Sequence, residues 1–263
     1  MKAMICRQWG GPEDLKLEDV ERVPLRAGQV RIKVHAAGVS FAMTLVIAGK
    51  YQRKPPLPFA PGTEATGVVI EVAPDCKRIK VGDEVMAALD WGGLAEEAVA
   101  SEVNVHLKPR NLGFVEATAL VLSYATSAAA LTWSSVLDVQ KGQTLLVHAA
   151  AGGVGMAAVE IGKILGATVI GTAGGPHKTA FAKAHGADHV IDYSASDFRE
   201  EVLKLTNGRG VDRIYDPVGG DVFTQSLRCL AVEGRICPVG FASGTIPQAP
   251  ANILLVKSIS VMG

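Results

Sequence analysis

The sequence predicts an α/β protein with two domains, a β-rich domain over residues 1–122 and a doubly wound six-stranded parallel sheet over residues 123–263. Three observations predict this architecture. Short apolar segments separated by turn residues fill the first half, strand and helix patterns alternate through the second half, and a glycine-rich turn joins the first strand and helix of that second half. The 263 residues, 48% of them hydrophobic, suffice for two hydrophobic cores.

The first domain is predicted from short strands and the turns between them. Its β-type segments are residues 30–34, 66–72, 85–89 and 97–100. The turn signals between them include Ala27-Gly28, Pro55-Pro56, Pro61-Gly62 and Val81-Gly82-Asp83. Because these residues interrupt every longer apolar run, the sequence predicts a domain rich in strands and loops.

The second domain is predicted from strands and helices that alternate. The strands are expected at residues 144–149, 168–172, 189–191, 211–215, 235–239 and 258–262. The helices between them are expected at residues 153–165, 178–185, 198–206 and 221–230. Because helical crossovers connect parallel strands, this pattern predicts a doubly wound sheet with helices on both faces.

An uncharged stretch over residues 117–137 has about the length that a membrane-spanning helix needs. Its polar residues argue against a span, because unpaired polar groups are costly in lipid. These residues are Thr118, Ser123, Thr126, Ser127, Thr132, Ser134 and Ser135. A buried helix or helix pair of a soluble domain is expected instead.

The charge and the cysteines restrict the partners and the compartment. The formal net charge is +0 and the sequence pI is about 7.0, which argues against nucleic acid and against an anionic membrane surface as partners. The 4 cysteines are scattered and form no Cys-x-x-Cys pair, which fits reduced thiols. Lys2 and Arg7 precede any hydrophobic region long enough for a secretory signal, so a cytoplasmic protein is expected.

The strongest single motif is the glycine-rich turn that contains Gly152, Gly153, Val154 and Gly155. Glycines at a strand-to-helix junction let the backbone approach a pyrophosphate, whose charge lies at the amide-rich helix N-terminus. An ordinary strand-to-helix turn is the alternative. The strand before the motif and the further strand–helix units after it favour dinucleotide binding.

The end of the second strand of this domain predicts which dinucleotide binds. An Asp or Glu there would hold the ribose 2′-hydroxyl of NAD, but the chain has Gly174 and Gly175 instead. Lys178 at the start of the next helix supplies a positive charge for a 2′-phosphate. NADPH is therefore the expected cofactor. The alternative for Lys178 alone is a solvated lysine at a helix start.

Several motifs in a fixed order resemble the zinc-independent quinone oxidoreductase branch of the medium-chain dehydrogenase/reductase superfamily. They are residues 56–64 (PLPFAPGTE), 81–85 (VGDEV), 147–155 (VHAAAGGVG), 186–188 (GAD), 218–221 (VGGD) and 239–244 (VGFASG). The resemblance implies a GroES-like catalytic domain followed by a Rossmann domain, with the nicotinamide end of NADPH between them. It implies hydride transfer to a quinone without zinc. The alternatives are an NADPH-dependent reductase of enones, which are α,β-unsaturated carbonyls, and an NADPH-binding module without turnover.

The resemblance also implies roles for residues that would otherwise be read as packing or helix residues. Tyr193 matches a family position beside the adenosine 2′-phosphate, and Gly240 and Phe241 match the loop that faces the nicotinamide half. Thr126 matches a threonine near the nicotinamide carboxamide.

Four polar residues are the candidate catalytic groups, because a carbonyl reduced without a metal must be polarised by hydrogen bonds. They are Ser40, Tyr51, Thr63 and Thr126. Tyr51 matches a family tyrosine that borders the substrate and cofactor site. Its alternative is a loop aromatic that packs on Pro55 and Pro56.

Zinc is not expected, because the ligand types that it prefers are absent. Relatives that bind zinc have a Cys and a His where this chain has Ser40 and Thr63. His185 and His189 have a spacing of four, but Gly186 interrupts any helix between them. These two histidines are therefore not expected to share a face.

The chain departs from the family pattern in two respects. The family segment Gly-Val-Asn-aromatic-x-Asp has Ser40 in place of Asn and Met43 in place of Asp, which puts acceptor specificity and activity in question. The family chain also continues past the sixth strand of the sheet, so the last segment of the catalytic domain is expected to be missing. A homodimer is expected through the strand that begins at Ser258 and ends at Met262.

Overall fold

The β-type segments of the first half pair into antiparallel sheets in the computed structural model, which describes all 263 residues. The strands are β1 (Lys2–Ile5), β2 (Lys16–Asp19), β3 (Gln29–Ala37), β4 (Glu64–Val72), β5 (Glu84–Ala88), β6 (Glu97–Ser101) and β7 (Val105–Leu107). Strands β1 and β2 form a pair, and the other five form one sheet in the order β6-β3-β4-β5-β7. Helix α1 (Phe41–Ile47) follows β3, and helix α2 (Phe114–Ala119) follows β7.

Residues 1–122 form one compact unit with two apolar clusters. One cluster lies within the five-stranded sheet and includes Val30, Ile32, Val69, Val85 and Val105. The other consists of Cys6, Met43, Val46, Ile47 and Phe59, so it joins α1 to the chain before the sheet. On β5 and β6, buried residues alternate with exposed or partly exposed ones, so each of these two strands has one covered face.

Residues 123–263 form the second compact unit around a parallel sheet. Its strands are β8 (Thr144–Val147), β9 (Thr168–Ala173), β10 (His189–Asp192), β11 (Val211–Asp216), β12 (Leu230–Pro238) and β13 (Ser260–Val261). Its helices are α3 (Ala125–Thr132), α4 (Gly153–Ile164), α5 (Pro176–Ala184), α6 (Phe198–Leu205), α7 (Gly220–Cys229) and α8 (Ala251–Lys257). The strand order is β10-β9-β8-β11-β12-β13, so the predicted doubly wound six-stranded sheet is confirmed.

Both faces of this sheet are buried, because neighbouring residues on one strand belong to different apolar clusters. Leu145 and Val147 lie in one cluster, whereas Leu146 between them lies in the other. The same alternation separates Ile214 from Tyr215 on β11. Strands buried on both faces read as continuous apolar runs, which is why the sequence predicted them without a period of two. The strand order reverses between β8 and β11, and the loops after these strands meet at the edge where ligands bind in such sheets.

A continuous helical stretch, Phe114–Thr132, runs through α2, a π-helix (Leu120–Tyr124) and α3. By length and composition alone it is apolar enough to cross a membrane, a test that core helices of soluble proteins also pass. Two of its polar groups are bonded within their own units. The Thr118 hydroxyl donates to the Phe114 carbonyl at 2.8 Å, and the Ser127 hydroxyl donates to the Val154 carbonyl at 2.8 Å.

Several predicted bounds are wrong, and backbone conformation explains the largest errors. Strand β8 ends at Val147 rather than at residue 149, because Ala149 has a φ of 49° and turns the chain. The last strand covers only Ser260–Val261, because Ser258 has a φ of 51° and ends α8, a helix that was not predicted. Strand β12 begins at Leu230, five residues before its predicted start at residue 235.

Candidate functional site

The predicted phosphate turn lies between β8 and α4. Gly152 is the N-cap residue of α4 and no side chain caps the helix. Gly152 and Gly153 are both exposed, so the first amide groups of this 12-residue helix face solvent without an intramolecular acceptor. An uncapped helix N-terminus with exposed amides is suited to bind a phosphate group.

The turn approaches the helix so closely that residue 155 must be glycine. A Cβ atom on Gly155 would lie 2.1 Å from the carbonyl oxygen of Ala149. Two backbone hydrogen bonds fix the start of the turn to the sheet. The Ala150 amide donates to the Thr172 carbonyl at 2.9 Å, and the His148 amide donates to the Tyr215 carbonyl at 3.0 Å. The shape of the phosphate turn is therefore set by the strands on both sides of β8.

Gly174, which was predicted to make room for a 2′-phosphate, lies beside Tyr193. A Cβ atom on Gly174 would lie 2.8 Å from the Tyr193 hydroxyl oxygen, and the Tyr193 amide donates to the Ala173 carbonyl at 3.2 Å. Tyr193 itself is 55% exposed. Lys178 is exposed in the first turns of α5, which begins two residues earlier than predicted. The structure thus places Gly174, Lys178 and Tyr193 around the carboxyl ends of β9 and β10.

Asp192, at the end of β10, is a site residue that the sequence reasoning missed. Its Oδ1 atom accepts hydrogen bonds from the Gly175 amide at 2.9 Å, from the Ser194 amide at 2.9 Å and from the Ser194 hydroxyl at 2.5 Å. The Ser194 hydroxyl, with these amides, lowers the pKa of Asp192, so the group is ionised at neutral pH. The carboxylate therefore connects the loop after β9 with the loop after β10.

The loops after β11 and β12 are locked together, and they contain Gly240 and Phe241. The Ala242 amide donates to the Pro217 carbonyl at 3.1 Å, and the Ser243 amide donates to the Val218 carbonyl at 3.0 Å. The Phe241 ring lies 3.0 Å from the position of a Cβ atom on Gly219. This pair of loops forms the edge of the sheet on the side of β8 away from Gly174.

Asp216 holds the first of these loops and was also missed. It is fully buried at the end of β11, and its Oδ1 atom accepts from the amides of Val218 at 2.8 Å and Gly219 at 3.1 Å. Burial raises the pKa of Asp216, whereas these two amide bonds oppose the rise. Its Oδ2 atom is buried without a partner. The only sequence signal was an acidic residue at a strand end before a glycine pair.

Thr126 lies on α3 and is partly exposed. The residues around it connect α3 to the phosphate helix. The Ser123 hydroxyl lies 3.1 Å from the position of a Cβ atom on Gly153, and the Tyr124 hydroxyl donates to Oε2 of Glu160 on α4 at 2.5 Å. Burial and this bond to Glu160 raise the pKa of Tyr124 to about 12. Thr126 is thus held on a helix that packs on α4.

The other candidate catalytic residues belong to residues 1–122. Ser40 is the N-cap residue of α1, and its hydroxyl oxygen accepts from the Met43 amide at 3.3 Å. Because the oxygen accepts this bond, the hydroxyl proton remains available for another acceptor. Met43 lies in α1, is only 4% exposed and packs in the cluster around this helix, so burial anchors the helix where the family has an aspartate.

Tyr51 and Thr63 differ in how they are held. The Tyr51 ring packs against the α1 cluster of Cys6, Met43, Val46, Ile47 and Phe59. The Tyr51 ring therefore packs on the α1 cluster, whereas the alternative prediction was packing on Pro55 and Pro56. The structure gives no role to the Tyr51 hydroxyl. Thr63 lies in the loop before β4, where its carbonyl accepts from the Leu89 amide at 2.8 Å. Its side chain is partly exposed.

The potential metal ligands are dispersed over the chain. No three His, Cys, Asp or Glu side chains lie close enough together to hold an ion. His185 ends α5 and its Nδ1 atom lies 2.7 Å from Oε1 of Glu160, whereas His189 begins β10. Gly186 between them has a φ of 102°, so the predicted helix break is present.

Comparisons with known proteins agree with both units. The family model described as "Alcohol dehydrogenase GroES-like domain" matches residues 26–125, and the model described as "Zinc-binding dehydrogenase" matches residues 153–263. A quinone oxidoreductase-like protein 2 homolog of Nematostella vectensis is 44% identical over 265 residues, which cover 100% of this chain and 71% of that protein.

Solved structures show the same likeness. The Escherichia coli quinone oxidoreductase, crystallised with NADPH, is 31% identical and superposes with a TM-score of 0.92 over 100% of this chain and 80% of that one. The CurK enoyl reductase is 29% identical, with a TM-score of 0.88 over 99% of this chain and 80% of that one. The chain therefore belongs to the quinone oxidoreductase branch of the medium-chain dehydrogenase/reductase superfamily, a family of oxidoreductase enzymes with a GroES-like and a Rossmann domain.

Proposed function

We propose that this protein is an NADPH-dependent oxidoreductase that transfers a hydride to a quinone without a zinc ion. The observation that carries the proposal is the exposed, uncapped N-terminus of α4 behind a turn in which Gly155 leaves no room for a Cβ atom. A pyrophosphate satisfies those amides and accepts the positive end of the helix dipole.

The residues at the other strand ends fit the rest of NADPH. The Tyr193 hydroxyl lies beside Gly174 and Lys178 lies in the first turns of α5, and these two groups would hold the 2′-phosphate of the adenosine half. Asp192 is kept from this phosphate by its three donors in the loops around Gly174. Phe241 and Thr126 would border the nicotinamide half. NADPH supplies the hydride when it is bound, and the E. coli relative crystallised with NADPH supports this choice.

The acceptor would be polarised by hydroxyl groups. Ser40 retains its proton while its oxygen caps α1, and Thr63 is held by its backbone with a partly exposed side chain. A hydroxyl that donates to the acceptor oxygen stabilises the negative charge that develops there. Quinones are electrophilic enough for such weak donors, which is why they are the first choice of acceptor.

Zinc independence is supported by the chemistry of the side chains. Ser40 and Thr63 stand where zinc-binding relatives have a thiolate and an imidazole, and a hydroxyl is a poor ligand for zinc. An equilibrated sample would therefore contain far less than one zinc ion per chain, as measured by atomic emission, and chelators would leave its activity unchanged. A stoichiometric zinc ion would contradict this part of the proposal.

An enone reductase is the second candidate. The likeness to the CurK enoyl reductase favours it, because that fold superposes over nearly the whole chain. Quinones and enones accept a hydride in the same geometry, so only relative rates separate the two candidates.

The test is NADPH oxidation, followed by its loss of near-ultraviolet absorbance, with a simple benzoquinone and with a simple enone. NADH and a fluorescence titration of both cofactors are run on the same sample. Faster NADPH oxidation with the quinone supports the proposal, and faster oxidation with the enone supports the second candidate. Tight binding of NADPH without oxidation would identify a binding module instead. If NADPH does not bind, the proposed function is wrong.

A further inference from the structure

Glu64 is an unusual residue of the first unit because its carboxyl group is buried without a charged partner. It begins β4, directly after Thr63, and is 5% exposed. Its Oε2 atom is buried and has no hydrogen-bond partner. An orphaned carboxylate oxygen costs free energy, so a protein retains one only where something else depends on it.

The carboxyl group lies directly against the turn that leads to Ser40. A Cβ atom on Gly38 would lie 1.9 Å from Oε1 of Glu64 and 2.4 Å from its carboxyl carbon. Gly38 follows the last residue of β3, and Ser40, two residues later, caps α1. The Glu64 side chain therefore fills the space under residue 38 and supports the chain that presents the Ser40 hydroxyl.

Burial favours the neutral form of this carboxyl group. It raises the pKa of Glu64 to about 7, against which only the backbone amide of Leu122 acts. No charged residue of the neighbouring elements is among the causes of this shift in the pKa of Glu64. Asp90 after β5 is paired with Arg53, Glu84 on β5 is paired with Lys108, and Glu116 on α2 is exposed. Near neutral pH, the carboxyl group of Glu64 therefore ionises without a neighbouring cation to stabilise its negative charge.

We propose that Glu64 is a positioning residue for the acceptor side of the site, whose neutral carboxyl group supports the turn of residues 38–40 and whose ionisation displaces that turn. The inference rests on the proposed function only for its effect on turnover. Ionisation would place a negative charge on a buried carboxyl group whose Oε2 atom has no partner and on which only the Leu122 amide acts as a donor. The turn of residues 38–40 is the part of its surroundings that reaches the surface. The position of the Ser40 hydroxyl would change with it.

The first measurement is independent of activity. The backbone amide resonances of Gly38 and Ser40 are followed by NMR from about pH 5.5 to about 8.5 in wild type, in Glu64→Gln and in Glu71→Gln. Glu71 is the matched control, because it lies on the same strand but is 52% exposed and pairs with Arg31. Both amides are expected to shift with a common midpoint near 7 in wild type and in the control, and not in Glu64→Gln. Amides that do not titrate in wild type would overturn the proposal.

The second measurement is kcat/KM for the quinone with saturating NADPH over the same pH range. It is expected to fall up to about tenfold per pH unit above about 7 in wild type and in Glu71→Gln, with an unchanged KM for NADPH. In Glu64→Gln this fall should be absent. A wild-type fall that persists in Glu64→Gln would overturn the proposal.

Two outcomes separate this inference from the proposed function. If wild type shows the amide titration but oxidises no NADPH at any pH, the positioning role stands and the proposed function fails. If Glu64→Gln does not fold, the wild-type amide titration decides alone, and Gly38→Ala provides the second variant. Its methyl group would clash with the carboxyl group, so it should raise the KM for the quinone and leave the Kd for NADPH unchanged.

Discussion

Lys178 is the residue on which the preference for NADPH over NADH depends. It is an exposed cation in the first turns of α5, near the glycine pair where NAD-binding chains have a carboxylate. A single exposed cation contributes modestly, because water screens it.

Lys178→Ala should raise the Kd for NADPH about fivefold, which corresponds to about 1 kcal/mol, and leave the Kd for NADH unchanged. The control is Lys183→Ala on the same helix, because Lys183 donates to the Asp188 carbonyl at 2.5 Å instead. Fluorescence titration with both cofactors checks the prediction. Equal weakening of both cofactors by Lys178→Ala would assign the lysine to the shared part of the dinucleotide.

His148 shows how one buried residue stabilises several elements of the second unit. It is 1% exposed, its Nδ1 atom lies 3.0 Å from the Thr172 hydroxyl on β9, and its Nε2 atom lies 2.7 Å from the Ser226 hydroxyl on α7. Phe198 of α6 packs edge-on against the ring. Burial lowers the pKa of His148 to about 3, so the folded protein contains the neutral ring.

Because the unfolded chain binds a proton at His148 below about pH 6.5 and the folded chain does not until about pH 3, acid should destabilise the second unit. The contribution is complete above about pH 6.5 and is lost at about 1.4 kcal/mol per pH unit below it. Between pH 7.5 and 5.0, wild type should lose about 2 kcal/mol more than His148→Gln, which cannot titrate. Urea unfolding followed by circular dichroism measures both losses. Equal losses would show that His148 titrates normally in the folded state.

At the scale of elements, two glycines in the turn before α4 and its first helical turn have different roles: one is needed for the fold and the other for binding. Gly155 is buried and approaches the Ala149 carbonyl, whereas a Cβ atom on Gly152 would lie 3.3 Å from the same oxygen. Gly152 has a φ of −86°, which any residue adopts. Substitutions at these two positions should therefore distinguish the effect on folding of the turn from the effect on its exposed binding surface.

Gly155→Ala should lower Tm by several degrees and weaken NADPH binding at least about tenfold, because either the helix or the turn must move. Gly152→Ala should leave Tm within about one degree of wild type and weaken binding alone, because its methyl group projects from the exposed end of the helix. Differential scanning fluorimetry with and without NADPH compares the two. A large loss of Tm in Gly152→Ala would show that this glycine is needed for the fold itself.

The elements predicted best from the sequence are those that local pattern and tertiary packing both favour. Strands β8, β9 and β11 are apolar runs buried on both faces, and α6 has the capping residue Asp197 and an amphipathic face, so their positions follow from the chain. Helix α8 was missed because its Leu255 and Val256 are exposed and give no amphipathic pattern. The bounds of β8 were wrong because a non-glycine residue, Ala149, adopts a positive φ.

The sequence predicts those parts of the candidate site that a local motif defines. It does not predict the parts that depend on contacts between residues distant in sequence. The glycines of the phosphate turn are readable because spacing alone defines them. Glu64, Asp192 and Asp216 each act on a backbone segment whose proximity arises only in the folded chain. In the same way, the sequence could not show that Met43 replaces a charged anchor by burial.

At the scale of the whole molecule, the edge of the parallel sheet predicts association. Strand β13 pairs with β12 on one side only, through the Met262 amide, which donates to the Ile236 carbonyl at 2.9 Å. Because amides alternate in direction along a strand, the Val261 amide points away from β12. An exposed strand edge of this kind is a place where a second copy of the chain can add its own strand.

We therefore expect a homodimer, and Val261→Pro should shift it towards monomer by removing a donor from the free edge without removing one from the β12 pairing. Sedimentation equilibrium of wild type and variant measures the dissociation constant, with at least about a tenfold increase expected. The matched control is Val256→Ser on α8, which changes an exposed apolar residue away from the strand. A wild-type chain that stays monomeric at high concentration would contradict the expectation.

The two units also carry buried ionisable groups of opposite sign, His148 in the second unit and Glu64 in the first. The folded pKa of Glu64 is raised, so its contribution to the stability of the first unit is complete below about pH 4.5 and is lost as the pH rises through about 7. The contribution of His148 to the second unit is lost in the opposite direction. Acid should therefore lower the stability of the second unit and alkali that of the first, so a storage buffer near neutrality is a compromise between the two units.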